Sequence, residues 1–180
     1  MGKREPADPA GGAGPGPGGS AVKLSHLDEG GRARMVDVGG KPESARTAVA
    51  EGVVKMSREA FELLARQAVA KGDVLAVAEV AGVLGAKRTG DLIPLCHPLG
   101  LDVVSVEARL EPELPGVRVT ALTKVTGRTG VEMEALTAVS VACLTVYDMM
   151  KAVDREIIID QVKLLSKTGG TRGDWRRSGG

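Results

Sequence analysis

Aromatic side chains are almost missing: Phe61, Tyr147 and Trp175 are the only three in 180 residues. So few π-faces leave little on which bases could stack, which argues against a reader of RNA or single strands. An excess of charge is missing as well, since 24 Lys and Arg stand against 23 Asp and Glu for a formal net charge of +1. No global field then recruits nucleic acid or an anionic membrane, and any anion site has to be local. Cysteine is limited to Cys96 and Cys143, far apart and at no metal or redox spacing. That argues against a disulfide framework and a closed zinc site, and points to a reducing compartment. No apolar run of signal-peptide type lies near the start, and the longest apolar segment is interrupted by Glu132, Glu134, Asp148 and Lys151. A soluble, cytoplasmic protein with no membrane partner is the expectation. The opening Met-Gly is not a myristoylation signal, because Pro6 stands where that motif takes Ser or Thr.

What is present fits one domain of ordinary size. Residues 1–22 are dominated by Gly, Pro and Ala and read as a disordered arm, residues 23–168 as a single domain and residues 169–180 as a flexible tail. Within the domain, Leu24 to Lys41 is short and turn-rich and is expected to lie across the surface, with His26 a surface histidine. Ser44 to Met56 alternates as a strand. Ser57 reads as the N-cap of a helix ending near Lys71-Gly72, and a second helix spans Asp73 to about Ala86. Lys87 to Leu99 is expected to be irregular, because Pro94 and Pro98 forbid a regular helix there. Asp102 to Leu110 and Val117 to Val125 form a hairpin across a Pro- and Gly-containing turn, and Glu156 to Leu165 is a last strand before a loose tail.

Gly130 to Val153 organises the rest. It holds no Pro and no Gly after Gly130, and its apolar residues fall on every side of a helical wheel, so it predicts a helix buried almost all round. Charges on such a helix need a reason. Asp148 and Lys151 are either an i,i+3 ion pair on a wetted edge or a carboxylate and an ammonium held rigidly for proton transfer or phosphate binding. His97, set before a proline, reads as a positioned hydrogen-bond donor. Lys167 to Arg172 either wraps an anion or has no fixed structure. The element order predicts an α+β domain: a four-stranded antiparallel ferredoxin-like sheet with its helices on one face. The uncovered face, read as mostly Val, Ala and Thr, predicts an oligomer.

Several segments carry a resemblance: Met35 to Lys41, Lys71-Gly72-Asp73-Val74, Ala86-Lys87-Arg88-Thr89, Asp91 to Leu99, Thr129 to Thr137, Tyr147 to Val153, and Leu165 to Gly170. In order and spacing, from about His26 to Gly173, they closely resemble the cyclic pyranopterin monophosphate synthase family of molybdenum-cofactor biosynthesis. The resemblance implies a lyase that turns 3′,8-cyclo-7,8-dihydroguanosine 5′-triphosphate into cyclic pyranopterin monophosphate and releases diphosphate. It implies a ferredoxin-like fold in a homohexamer of three dimers, with each active site at a dimer interface. Asp148, Lys151, Lys71 and His97 then take catalytic positions, and Leu95, Cys96, His97, Met133 and Glu134 contact substrate. Lys87, Arg88 and Lys167 are expected to bind substrate, and clustering of Lys71, Lys87, Lys151 and Arg88 is expected to lower the pKa of one of them while the others hold the triphosphate. Glu132 is either another contact or a charge favoured at a helix start. No cofactor or resident metal is required, although a divalent cation can accompany the triphosphate. Lys71 and His97 are expected from one protomer, Asp148 and Lys151 from the other. The competing expectation is a non-catalytic ferredoxin-like module that binds a metabolite at a subunit interface.

Overall fold

Strand β1, Ser44–Lys55, sets the pattern for the whole molecule. Ala48, Ala50, Gly52 and Val54 alternate onto one face and are buried, whereas Thr47, Val49, Glu51 and Lys55 point to the other. The computed structural model describes residues 30–171 and 173–178. Residues 1–29, which include His26 and the expected arm, lie outside the described residues.

Ser57 caps the helix α1, Arg58–Ala65, through Oγ, which accepts from Ala60 N at 3.3 Å. α1 stops well short of the expected Lys71-Gly72: Gln67 takes a left-handed φ of 53°, which no helix continues through. Gly72, at φ 94°, then turns the chain into Asp73, whose carboxylate caps α2, Val74–Lys87. A short helix α3, Thr89–Leu92, follows where only irregular chain was expected, because the run before Pro94 is long enough for one turn. The hairpin strands are β2, Val103–Glu111, and β3, Gly116–Gly127. α4, Glu132–Met150, and β4, Ile158–Thr168, come next.

The result is a mixed α/β fold: an open five-stranded antiparallel sheet in the order β2-β3-β1-β4-β5, with four helices among the described residues. β5, Trp175–Arg176, pairs with β4 along its outer edge. The sheet therefore has one strand more than expected, and chain read as a loose tail from Ser166 onward is built into it. The missed signal was weak, since a two-residue strand has no periodicity to detect.

α4 and α2 pack on the face of Ala48, Ala50, Val54, Val117, Val119, Ala121 and Ala108. The approach is close: a Cβ on Gly52 would stand 2.6 Å from Val139 Cγ1, and one on Gly85 would stand 2.8 Å from Val141 Cγ2. α4 is buried nearly all round as its pattern predicts, with only Met133, Leu144 and Asp148 exposed. Among the described residues it is the one helix long and apolar enough to cross a bilayer, and its burial between sheet and α2 accounts for that composition. The opposite sheet face is more charged than expected. Glu51 meets Arg118 at 3.0 Å and Lys163 at 3.3 Å, Arg118 also meets Glu111 at 2.8 Å, and Lys55 meets Asp160 at 2.5 Å. Alternation placed these groups on one face, but only strand register brings their charges into pairs.

Candidate active site in two halves

The residues singled out from the sequence collect at the two ends of α4. Glu134 and Asp148 are 14 residues apart, which is about 21 Å along the helix axis.

At the C-terminal end, Asp148 is exposed and accepts from two lysines: Lys151 Nζ on Oδ1 at 2.5 Å and Lys71 Nζ on Oδ2 at 3.1 Å. Lys71 Nζ also donates to the Asp148 carbonyl at 2.7 Å, satisfying one of the carbonyls left open at the helix end. The bond from Lys151, and then that from Lys71, hold the Asp148 carboxyl below the usual carboxylate range, and Asp148 in turn raises Lys151. The direction at Lys151 is opposite to that expected of a lysine among clustered cations. Lys151 sits beside an anion, while Lys87 closes α2 about 20 Å along that helix from the Lys71 end. Within one chain, Lys71, Asp148 and Lys151 lie together. Lys71 belongs with Asp148 and Lys151, because the linker preceding α2 passes beside the end of α4.

At the N-terminal end lies a cleft of about 350 Å³. Leu95, Cys96 and His97 from the loop after α3, Met133 and Glu134 from α4, and Lys167 from β4 all line it. Val36, Val38 and Lys41 line it too, so the segment expected to lie across the surface forms a wall. His97 Nε2 donates to the Val36 carbonyl at 2.9 Å, which fixes the ring as a positioned donor and leaves Nδ1 as its base in the neutral form. Lys167 Nζ donates to Glu132 Oε1 at 2.7 Å, so Glu132 has a partner as well as a place in the first turn of α4. Glu134 is 4% exposed, and burial followed by the Glu132 charge pushes its carboxyl upward. Burial, then Glu134 and Glu132, also raise the Cys96 thiol, which keeps it a thiol rather than a thiolate. Lys87 and Arg88 are exposed and do not line this cleft.

Two cations of the cleft went unnoticed in the sequence. Arg46 occupies the helix-facing phase of β1, where Ala48, Ala50 and Val54 are apolar; a guanidinium in that phase was the available signal. Its Nε donates to the Gly127 carbonyl at 3.0 Å. Arg128, at the end of β3, is held by the Gly39 carbonyl at 3.2 Å and by Glu43 at 3.6 Å. Lys41, Arg46, Arg128 and Lys167 thus face a cleft that also holds Thr129 and Gly130 just before α4, and these four cations against the carboxylates of Glu132 and Glu134 leave an arrangement suited to a polyanion. Among the described residues, no three His, Cys, Asp or Glu side chains converge as a metal would require.

Comparison with known proteins places the chain among relatives of one name. A protein from Brucella ovis named cyclic pyranopterin monophosphate synthase is 57% identical over 153 residues, covering 85% of this chain and 93% of its own. Proteins of the same name from Brucella abortus and Brucella canis are 57% and 56% identical over the same length. The model of the MoaC family matches residues 35–170, from the wall of the cleft to its glycine turn. The chain belongs to the MoaC family.

Proposed function

We propose that this chain is a lyase of molybdenum-cofactor biosynthesis, forming the cyclic pyranopterin monophosphate for which its relatives are named. The substrate on this reading is 3′,8-cyclo-7,8-dihydroguanosine 5′-triphosphate. The observation that carries it is the cationic cleft of Lys41, Arg46, Arg128 and Lys167 in a chain whose formal charge is only +1. Such a site fits a triphosphate whose diphosphate departs as a sugar hydroxyl closes onto the α-phosphorus, since fixed cations neutralise the charge that develops on the leaving group. Rebuilding the purine-derived ring needs proton transfers. His97 and Glu134 stand in the cleft for them, the latter a stronger base than a solvated carboxylate because of its burial. Any divalent cation arrives with the triphosphate, and the work is done in the cytoplasm.

Asp148, Lys151 and Lys71 complete the site from a second protomer. They sit at the far end of α4 from the cleft and have no comparable concavity of their own. Leu144 lies one turn before Asp148 on the same face of α4 and is 58% exposed. Val77, Val80 and Leu84 add an exposed apolar row on α2. A partner seated on that surface reaches the Asp148 triad, which supports a dimer with shared sites and the homohexamer built from three of them. The ferredoxin-like description is supported by the antiparallel run β2-β3-β1-β4, with α2 crossing between β1 and β2 and α4 between β3 and β4.

The test is to supply purified protein with the cyclised GTP intermediate, detect the product by mass spectrometry and quantify diphosphate in parallel. Product and diphosphate in equal amounts support the lyase. Intermediate that binds a folded oligomer and returns unchanged refutes the lyase in favour of the metabolite-binding module.

A further inference from the structure

The chain beyond β4 folds back onto the molecule. It turns through Gly169 and Gly170, both at left-handed φ values of 87° and 83°, and returns as β5. Lys167 pairs with Trp175 and Ser166 with Arg176 across the ladder. Arg177 N donates to the Leu165 carbonyl and its Nε to the Leu164 carbonyl, each at 2.8 Å. Asp174 Oδ1 accepts from Gly169 N at 2.9 Å and ties the two limbs together. Gly169, Thr171 and Gly173 line the cationic cleft beside Lys167 and Arg46. The turn is pressed against the sheet: a Cβ on Gly169 would run into the Ala45 carbonyl, and one on Gly170 into the Arg46 guanidinium. Arg172 lies outside the described residues and carries no part of the inference. Asp174 to Ser178 are all exposed, so the return strand adds little buried surface to the core.

We propose that Asp174 is a positioning residue for polyphosphate binding: its bond to Gly169 N fastens the glycine turn that walls the cleft, with β5 backing Lys167. This rests on the reading of the cleft as the polyphosphate site. Charge makes the inference sharp. Asp174 is a carboxylate held against a wall of a cleft that carries four cations, so on electrostatics alone its removal strengthens anion binding. As a fastener, its removal weakens binding despite the gain in positive charge.

The experiment titrates inorganic tripolyphosphate into the full chain by calorimetry, comparing wild type with Asp174→Ala, Asp174→Asn and Arg46→Ala. Asp174→Ala is expected to raise Kd roughly three- to tenfold, the loss attached to one ordered hydrogen bond. Asp174→Asn is expected within about twofold of wild type, because an amide oxygen accepts the same bond without the charge. Trp175 is the sole tryptophan, so its acrylamide quenching reports on the return strand alone and should rise in the Ala variant. Unchanged or tighter binding by Asp174→Ala overturns the proposal, as does an Asn variant as weak as Ala. Binding lost in Arg46→Ala but kept in Asp174→Ala removes the fastener and leaves the cleft standing. Wild type that binds no tripolyphosphate removes both.

Discussion

The two ends of α4 are built on opposite plans. Its first turn opens onto a concave, cation-lined cleft in which Glu134 is buried and its carboxyl is pushed up. Its last turn carries Asp148 on an exposed edge, where two lysines hold the carboxyl down. One end is a concave cleft lined by four cations; the other is an exposed ion triad. Exposed ion pairs contribute little to stability, so stability gives a weak account of why three charged groups are held in register there. On the reading proposed above, this rigid constellation acts on a cavity that a second copy supplies.

The largest effect should come from breaking the triad. Asp148→Asn is expected to lower turnover by 10³-fold or more on the order-of-magnitude scale of lost acid–base and positioning groups, while tripolyphosphate binding persists. Equal loss of both would merge the two ends into one function. Mixing Asp148→Asn protomers with His97→Ala protomers sharpens the comparison. Random dimers then hold one intact shared site in half the population, and activity should return to about one quarter of wild type. A mixture as dead as its components refutes the shared site.

Next in size is the cleft itself. Arg46→Ala should raise the Kd for tripolyphosphate about 10- to 100-fold, as expected for a charge-assisted contact, with kcat changed far less than KM. A kcat effect of the same size with Kd intact would move Arg46 out of the binding role. Smaller again is a change between the two ends, where α4 lies on β1. Gly52→Val has to displace Val139 and is expected to destabilise by about 1–3 kcal/mol in denaturant unfolding, with little change in the tripolyphosphate Kd of the folded protein.

The smallest effects concern pH, and their signs differ between the ends. Glu134 has a folded pKa above its unfolded one, so its contribution to stability is lost as pH rises from the ordinary carboxylate value through the raised one. Glu134→Gln should therefore melt higher than wild type at pH 7, and the difference should shrink toward pH 4. Asp148 has a folded pKa below its unfolded one, so its contribution is present above the ordinary value and lost as pH falls through the depressed one. Asp148→Asn should melt lower than wild type at pH 7 by an amount that vanishes in acid. Thermal melts across pH 3 to 8 check both signs, and parallel curves would show that burial and pairing do not distinguish the ends.

The core elements were legible because each rests on local pattern. Alternation marked β1, β2 and β3, all-round apolarity marked α4, and Ser57 and Asp73 marked the starts of α1 and α2. His97, Cys96, Met133, Glu134 and Lys167, which the family resemblance singles out, line one cleft. Arg46 and Arg128 escaped because neither belongs to a recognisable pattern of its own; one sits within an alternating strand and the other just beyond a strand end, and only the fold turns both inward. Lys87 and Arg88 lie apart from this cleft within one chain, since adjacency to the loop in sequence did not become adjacency to the cleft in space.

Sequence alone determined where most helices and strands lie and which faces are apolar, because propensity, periodicity and capping act over a few residues, while the family resemblance singled out the side chains expected to carry chemistry. Only the tertiary structure decided how those side chains are partitioned. Lys71 joins Asp148, Arg46 joins Lys167, and Gly169 is fastened by Asp174. Each grouping depends on where a linker, a strand register or a returning edge strand comes to lie, and those positions follow from the packing of α4 and α2 on the whole sheet rather than from any short stretch of chain.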